Sequence, residues 1–328
     1  MADLTFEASG GGVDTVSSAG SVYLYANIEN LTLQTSSIAY FGVGNDLANV
    51  INGNAGDNLL LGGAGNDSMF AAGGNDVVYG EGGNDSLDGA SGVDYLIGGD
   101  GNDSLGGGDN ADALYGEGGD DELGGGENFH TDILVGGAGN DTLSGASGLG
   151  DFDYLDGGDG NDMFVVDTTA DVTIEAVDGG TDTVVAQLNG GYYLYANIEN
   201  LTLAGQTAFG VGNELANRLT GSNSDNYLLG GDGNDTIDGA GGIDVLYGQG
   251  GADVFVFQRG GTADIIADFT LGVDRIQLIG IPLATIAQVR NNATDYQGNT
   301  AINLGNDEFL VIIGVTKAQL NTGDFIFG

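Results

Sequence analysis

The stretch Gly62-Gly63-Ala64-Gly65-Asn66-Asp67-Ser68-Met69-Phe70 decides how this chain is read. It is one copy of a nine-residue unit. Copies begin at Gly53, Gly62, Ala71, Gly80, Gly89, Gly98, Gly107, Gly116 and Gly125, then at Gly136, Gly145 and Gly157 after insertions of two and three residues. The unit returns at Gly221, Gly230, Gly239 and Gly248. Its sixth position is Asp67, Asp76, Asp85, Asp94, Asp103, Asp112, Asp121, Asp132, Asp141, Asp153 and Asp162, and later Asp235, Asp244 and Asp253. Its eighth position is large and apolar, from Met69 and Val78 through Leu87, Leu96 and Leu105 to Phe164, Ile237, Leu246 and Phe255.

A fixed short period means a solenoid, in which each unit buries its apolar face only against its neighbours. Glycine permits the positive φ of a tight turn and lets carbonyls approach one another. Positions seven to nine then make a short strand with position eight inward. Alternate copies differ. Asn66, Asn84, Asn102, Asn140 and Asn161 precede the aspartate in one set, whereas Val93, Ala111, Thr131 and Phe152 do so in the other. Two units therefore make one eighteen-residue coil, with the two sets on opposite sides.

The pattern resembles the RTX (hemolysin-type) calcium-binding nonapeptide repeat, Gly-Gly-x-Gly-x-Asp followed by an apolar strand. The resemblance implies an all-β fold of right-handed parallel β-roll arrays with a β-rich C-terminal lobe. It also implies several Ca2+ ions as cofactor, because calcium takes six to eight oxygen ligands. The ligand positions it implies are the fourteen aspartates above, the first-position glycines Gly62, Gly80, Gly98, Gly116, Gly136, Gly157, Gly230 and Gly248, and the fourth-position glycines Gly65, Gly74, Gly83, Gly92, Gly101, Gly119, Gly139, Gly160, Gly233, Gly242 and Gly251.

Composition agrees. The 328 residues include 65 glycines, one proline, no cysteine and no tryptophan, and 48 acids against 5 bases give a net charge of −43. So few cations cannot neutralise a row of phosphates, which excludes nucleic acid as a partner. Without cysteine there are no disulfides or thiolate sites. The longest strongly apolar run, 309–315, is too short to span a bilayer. The start, Met1 to Glu7, lacks the basic and apolar regions of a signal peptide. Gly-x-Ser-x-Gly, His-Glu-x-x-His and phosphate-loop signatures are absent from the sequence, and the single histidine, His130, lies in the first insertion. The carboxylates fall on a metal-ligand period rather than as a catalytic pair, and a non-enzyme is expected.

A longer duplication frames the arrays. Tyr23 to Leu33 recurs unchanged as Tyr193 to Leu203, and Asn49 and Asn58 match Asn217 and Asn226 in slots where later repeats carry aspartate. This predicts a β-rich lead-in segment (1–52), a long calcium array (53–167), a second lead-in (168–220), a short calcium array (221–257) and a C-terminal β-rich lobe (258–328). Asp268 to Asp274 and Asp324 to Phe327 resemble the C-terminal end of RTX proteins exported by type I secretion. That resemblance implies type I secretion machinery as a partner and an extracellular or cell-surface location.

The two outer faces differ. One presents Ser68, Ser86, Ser104, Glu122 and Thr142. The other presents Val77, Tyr79, Tyr95, Ile97, Tyr115, Ile133 and Val135, an apolar face expected to be covered either by another segment of this chain or by a second molecule through self-association. The expected function is a calcium-folded, non-enzymatic building block of a surface layer, matrix or filament. The alternatives are the carrier portion of a larger secreted enzyme, or an adhesin.

Overall fold

The computed structural model describes residues 7–35, 40–126, 129–145, 152–259 and 263–328. Residues 1–6, on which the signal-peptide expectation rests, lie outside the described residues. Two compact units form, Met1–Gly180 and Thr181–Gly328.

In the first unit the chain winds as a parallel β-solenoid. Among the described residues, nine strands from Thr15–Ser18 to Met163–Val166 stack on one side. Nine more, from Val22–Tyr23 to Val172–Ile174, stack on the other. Leu87 pairs with Met69 below and Leu105 above, one eighteen-residue coil away in each direction. The insertions change the length of the turn but not the register: Leu123 still pairs with Leu143, and Leu143 with Phe164.

Most array strands are longer than the nonapeptide implies. Tyr95–Asp100 continues into the next turn, and its pairing skips one glycine, from Ile97↔Tyr79 to Gly99↔Glu81. The backbone swings to positive φ just after the skipped position, at Glu81 (76°) and Gly99 (115°). The eighth-position side chains form the core, and Val78, Leu96, Leu114, Leu134, Leu143 and Leu155 are all fully buried. Each contributes about 1.5–3 kcal/mol of apolar burial, but only once the coils above and below are in place.

The second unit repeats the design. Thr183–Ala186, Asn200–Leu203, Arg218–Thr220, Thr236–Asp238, Val254–Gln258, Arg275–Ile279 and Phe325–Phe327 follow one another in parallel. The opposing sheet runs from Gly191–Tyr193 to Ala263–Ile266, adds Glu308–Ile312 in parallel, and ends in the antiparallel strands Asn299–Gly305 and Ala293–Tyr296. Ala263–Ile266 and Arg275–Ile279 thus carry the coil beyond the last nonapeptide. A short helix, Ile286–Asn291, starts at the N-cap Thr285. Asp324, fully buried, accepts from the backbone N–H groups of Gly272 and Asn321 and pins the C-terminal strand.

The apolar outer face of the first unit is partly open to solvent: Leu59, Tyr95, Ile133 and Tyr154 are exposed, whereas Val77, Tyr79, Ile97, Tyr115 and Val135 are half-buried. Their strands place them in one column, Phe41–Leu59–Val77–Tyr95–Ala113–Ile133–Tyr154. Tyr95 and Tyr115 pack with ring centroids 5.1 Å apart, and Tyr227 and Tyr247 do the same in the second unit.

Coil spacing sets a steric test. Gly101 has φ +126°, and a Cβ there would overlap the carbonyl oxygen of Gly83 one coil below. A Cβ on Gly82 meets nothing. Gly101→Ala is expected to lower the calcium-loaded melting temperature by several degrees, an effect of roughly 1–3 kcal/mol from strain and overlap. Gly82→Ala should leave it within about 2 °C, since open surface sites rarely matter. Thermal unfolding followed by circular dichroism checks both.

Candidate metal centres in the turns

The sixth-position aspartates form two ladders in the first unit. On one side the backbone N–H of Asp67 donates to Oδ1 of Asp85 at 2.7 Å. Asp85 donates likewise to Asp103, Asp103 to Asp121, Asp121 to Asp141 and Asp141 to Asp162. On the other side Asp76 donates to Asp94, Asp94 to Asp112, Asp112 to Asp132 and Asp132 to Asp153. In the second unit Asp235 donates to Asp253, and Asp244 to Asp264. All fourteen aspartates are buried. Each turn thus holds the carboxylate of the next coil, and the strand behind it fixes the height.

One oxygen of each carboxylate is used this way. The other, Oδ2 of Asp67, Asp76, Asp85, Asp94, Asp103, Asp112, Asp121, Asp141, Asp235, Asp244 and Asp253, is buried with no hydrogen-bond partner. Except for Asp76, whose turn begins with Ala71, it lies where a side chain on the first glycine of its own turn would sit. At Gly62 the neighbours of that space are Asp67 Oδ2 and the carbonyl oxygen of Gly80; at Gly80 they are Asp85 Oδ2 and the carbonyl oxygen of Gly98. Gly98, Gly116, Gly136, Gly157, Gly230 and Gly248 face their own aspartates in the same way. The fourth-position glycines, Gly65 through Gly251, all take φ between +110° and +145°. Buried carboxylate and carbonyl oxygens with no donor between them suit a hard divalent cation. Calcium would supply the positive charge that the turn lacks.

The electrostatics agree. In the metal-free chain, burial pushes Asp67 and Asp76 up to about 7, Asp112 to about 8 and Asp121 to about 7. The backbone N–H bond to each carboxylate opposes the rise, and neighbouring aspartates add to it. Asp235 and Asp244 rise to about 7 for the same reasons.

A second ladder flanks the first on the side that carries asparagine. Asn84 N–H donates to Asn66 Oδ1, Asn102 to Asn84, Asp120 to Asn102 and Asn140 to Asp120. It runs opposite to the aspartate ladder and is exposed. The acidic residues Glu81, Asp100, Asp109, Glu117 and Asp159 are exposed in the turns, as is His130.

Sequence reasoning missed four carboxylates. Asp171, Asp264 and Asp274 extend the ladders past the last repeats: Asp153 N–H donates to Asp171, Asp244 to Asp264 and Asp253 to Asp274. They lack the glycine frame, and the remaining signal is an aspartate directly before an alternating strand. Glu175 is buried too, and one of its oxygens shares the space beside Gly157 with Asp162.

Comparison with known proteins agrees with this geometry. The RTX calcium-binding nonapeptide repeat (4 copies) matches residues 43–78, 62–96, 70–105, 97–129, 128–149, 146–172, 211–246 and 230–261, more than half of the chain. The chain belongs to this family. Its repeats bind Ca2+, and proteins of the family are typically secreted by type I systems. Endo-1,3-1,4-beta-glycanase EglC of Rhizobium meliloti (strain 1021) is 35% identical over 199 residues, covering 55% of this chain and 40% of that protein. The chain therefore matches less than half of that relative's length. The extracellular lipase LipA from Serratia marcescens aligns at 18% identity with a TM-score of 0.26, over 72% of this chain and 40% of that one. At that score the likeness carries no argument. No helix among the described residues is long and apolar enough to cross a membrane.

The raised carboxyls predict a pH response without calcium. Their folded pKa values lie above the unfolded value near 3.8. Their contribution to stability is therefore complete below about pH 4 and is lost as pH rises through 6 to 8. In calcium-stripped buffer, acidification from pH 8 to pH 5 should restore β-sheet signal in far-UV circular dichroism. Unchanged spectra over that range would contradict the burial of these groups.

Proposed function

We propose that the chain is a secreted, non-enzymatic building block that calcium switches from an open to a wound state. The observation that carries this reading is the row of buried carboxylate oxygens without a donor. Emptied of cation, the turns hold like charges one coil apart, and a net charge of −43 opposes compaction. With Ca2+ held by the turn aspartates and by carbonyls around the first and fourth glycines, the turns close and the leucines stack. Binding free energy then becomes folding free energy. At an affinity of roughly 10⁻⁴–10⁻³ M, the scale of extracellular calcium modules, the chain stays unwound in a low-calcium cytosol and winds after export. Its five parts are the two lead-ins, the two arrays and the C-terminal lobe, and the outer Tyr95–Tyr115 face is the surface through which copies associate.

A second reading is favoured by the glycanase alignment. Sequence shared with part of a larger enzyme is what a calcium-dependent carrier portion would show. In that case the catalysis resides in sequence outside the aligned part.

Light scattering during a calcium titration, from chelator to ~10 mM, beyond that affinity range, separates the two. The building-block reading expects contraction of the hydrodynamic radius followed by a steep rise in mass. Tyr95→Ser with Tyr115→Ser should keep the contraction and lose the rise. Contraction at constant monomer mass favours the carrier reading. A radius unaffected by calcium defeats both. Asp85→Ala with Asp103→Ala should shift the midpoint of contraction to higher calcium by about tenfold or more; an unchanged midpoint would rule out these turns as ligands.

A further inference from the structure

The ladder slots of Asn49 and Asn217 are built differently from those filled by aspartate. Their backbone N–H groups donate to Oδ1 of Asp67 and Asp235 as any rung would. Their side chains do not wait for a cation. Asn49 Oδ1 accepts the backbone N–H of Asn45 at 2.7 Å. Its Nδ2 donates to the carbonyl oxygens of Ile28 and Glu29. Asn217 repeats this with Asn213 N–H, Ile198 O and Glu199 O. Asn58 and Asn226 take the next slots, with Oδ1 accepting from Asn54 and Ser222.

The placement matches that of the ion-facing oxygen. A side chain on Gly44 would overlap Asn49 Oδ1, as one on Gly62 would overlap Asp67 Oδ2. The coil beneath differs, however. Under an aspartate rung it offers a backbone N–H; under Asn49 it offers carbonyl oxygens. A carboxylate there could accept the Asn45 N–H with one oxygen but would set the other against the Ile28 and Glu29 carbonyls, whereas an amide accepts within its own turn and donates to the coil beneath. Asn49 and Asn217 are both buried.

We infer that the side-chain amides of Asn49 and Asn217 replace the cation at the base of each array, so that the lead-in coils stay wound without calcium and template the calcium-dependent coils above them. This rests on the calcium reading of the aspartate turns. The two modules arrive at the same device in separate parts of the chain, and the donor–acceptor pairs agree atom for atom.

Hydrogen exchange of the full chain, read by mass spectrometry, tests it. In chelator, the strands Asn30–Leu33, Val50–Asn52, Asn200–Leu203 and Arg218–Thr220 should exchange at least tenfold more slowly than Ser104–Asp109 and Val245–Gly250. Calcium should slow only the latter pair further. Asn49→Asp with Asn217→Asp should abolish the protection in chelator while calcium still protects the arrays, which shows that the variant folds. Equal exchange of lead-in and array strands in chelator would overturn the inference, as would an aspartate variant that keeps wild-type protection there. If calcium leaves the arrays unprotected while the lead-in strands stay protected, the calcium reading fails and the amide assignment stands.

Discussion

A carboxylate oxygen sealed from water without a donor is the constraint around which this molecule is arranged. The buried Oδ2 atoms of Asp67, Asp85, Asp103 and Asp121 recur one coil apart. A buried anion of this kind is tolerable only when protonated or when a cation faces it. Everything else in the turn follows from leaving room for that cation. The first glycine clears the space, the fourth gives the backbone its reversal, and the strand that follows carries a leucine into the core.

The strands are a consequence of the turns rather than an independent source of stability. A three-residue piece such as Thr142–Ser144 has little preference of its own. It gains a place when the coils on either side exist, as in other quasi-one-dimensional repeats. Cooperativity therefore runs along the axis, and the ladder of Asp N–H to Oδ1 bonds is the connection between adjacent turns.

Much of this was legible in the residues. The period gave the coil, the sixth-position aspartates gave the candidate ligands, and the Asn66/Val93 alternation separated the two sides. The buried eighth positions and the apolar outer column follow directly from strand alternation. What the period hides is what lacks glycines. Asp171, Asp264 and Asp274 occupy ladder positions through geometry alone, because a rung needs only an aspartate before a strand. The helix Ile286–Asn291 was not foreseen, its apolar pattern being too short to stand out. The longer strands arise because the second turn position, at Glu81 or Gly99, pairs across coils even at positive φ. The Asn49 and Asn58 slots could be seen in sequence as departures from aspartate, but the direction of their amides depended on the carbonyls below.

The insertions between Gly125 and Gly136, and between Gly145 and Gly157, alter no pairing: Leu114 still meets Leu134, and Leu134 meets Leu155. Vertical registry is thus held by the rungs, while the length of chain between them is free to vary. Such a lattice separates two kinds of evolutionary change. Substitutions at a rung are felt by its neighbours along the axis, whereas added residues at a corner cost only loop entropy, which grows slowly with length. The corners are therefore where a protein of this design can acquire new surface chemistry without renegotiating its interior.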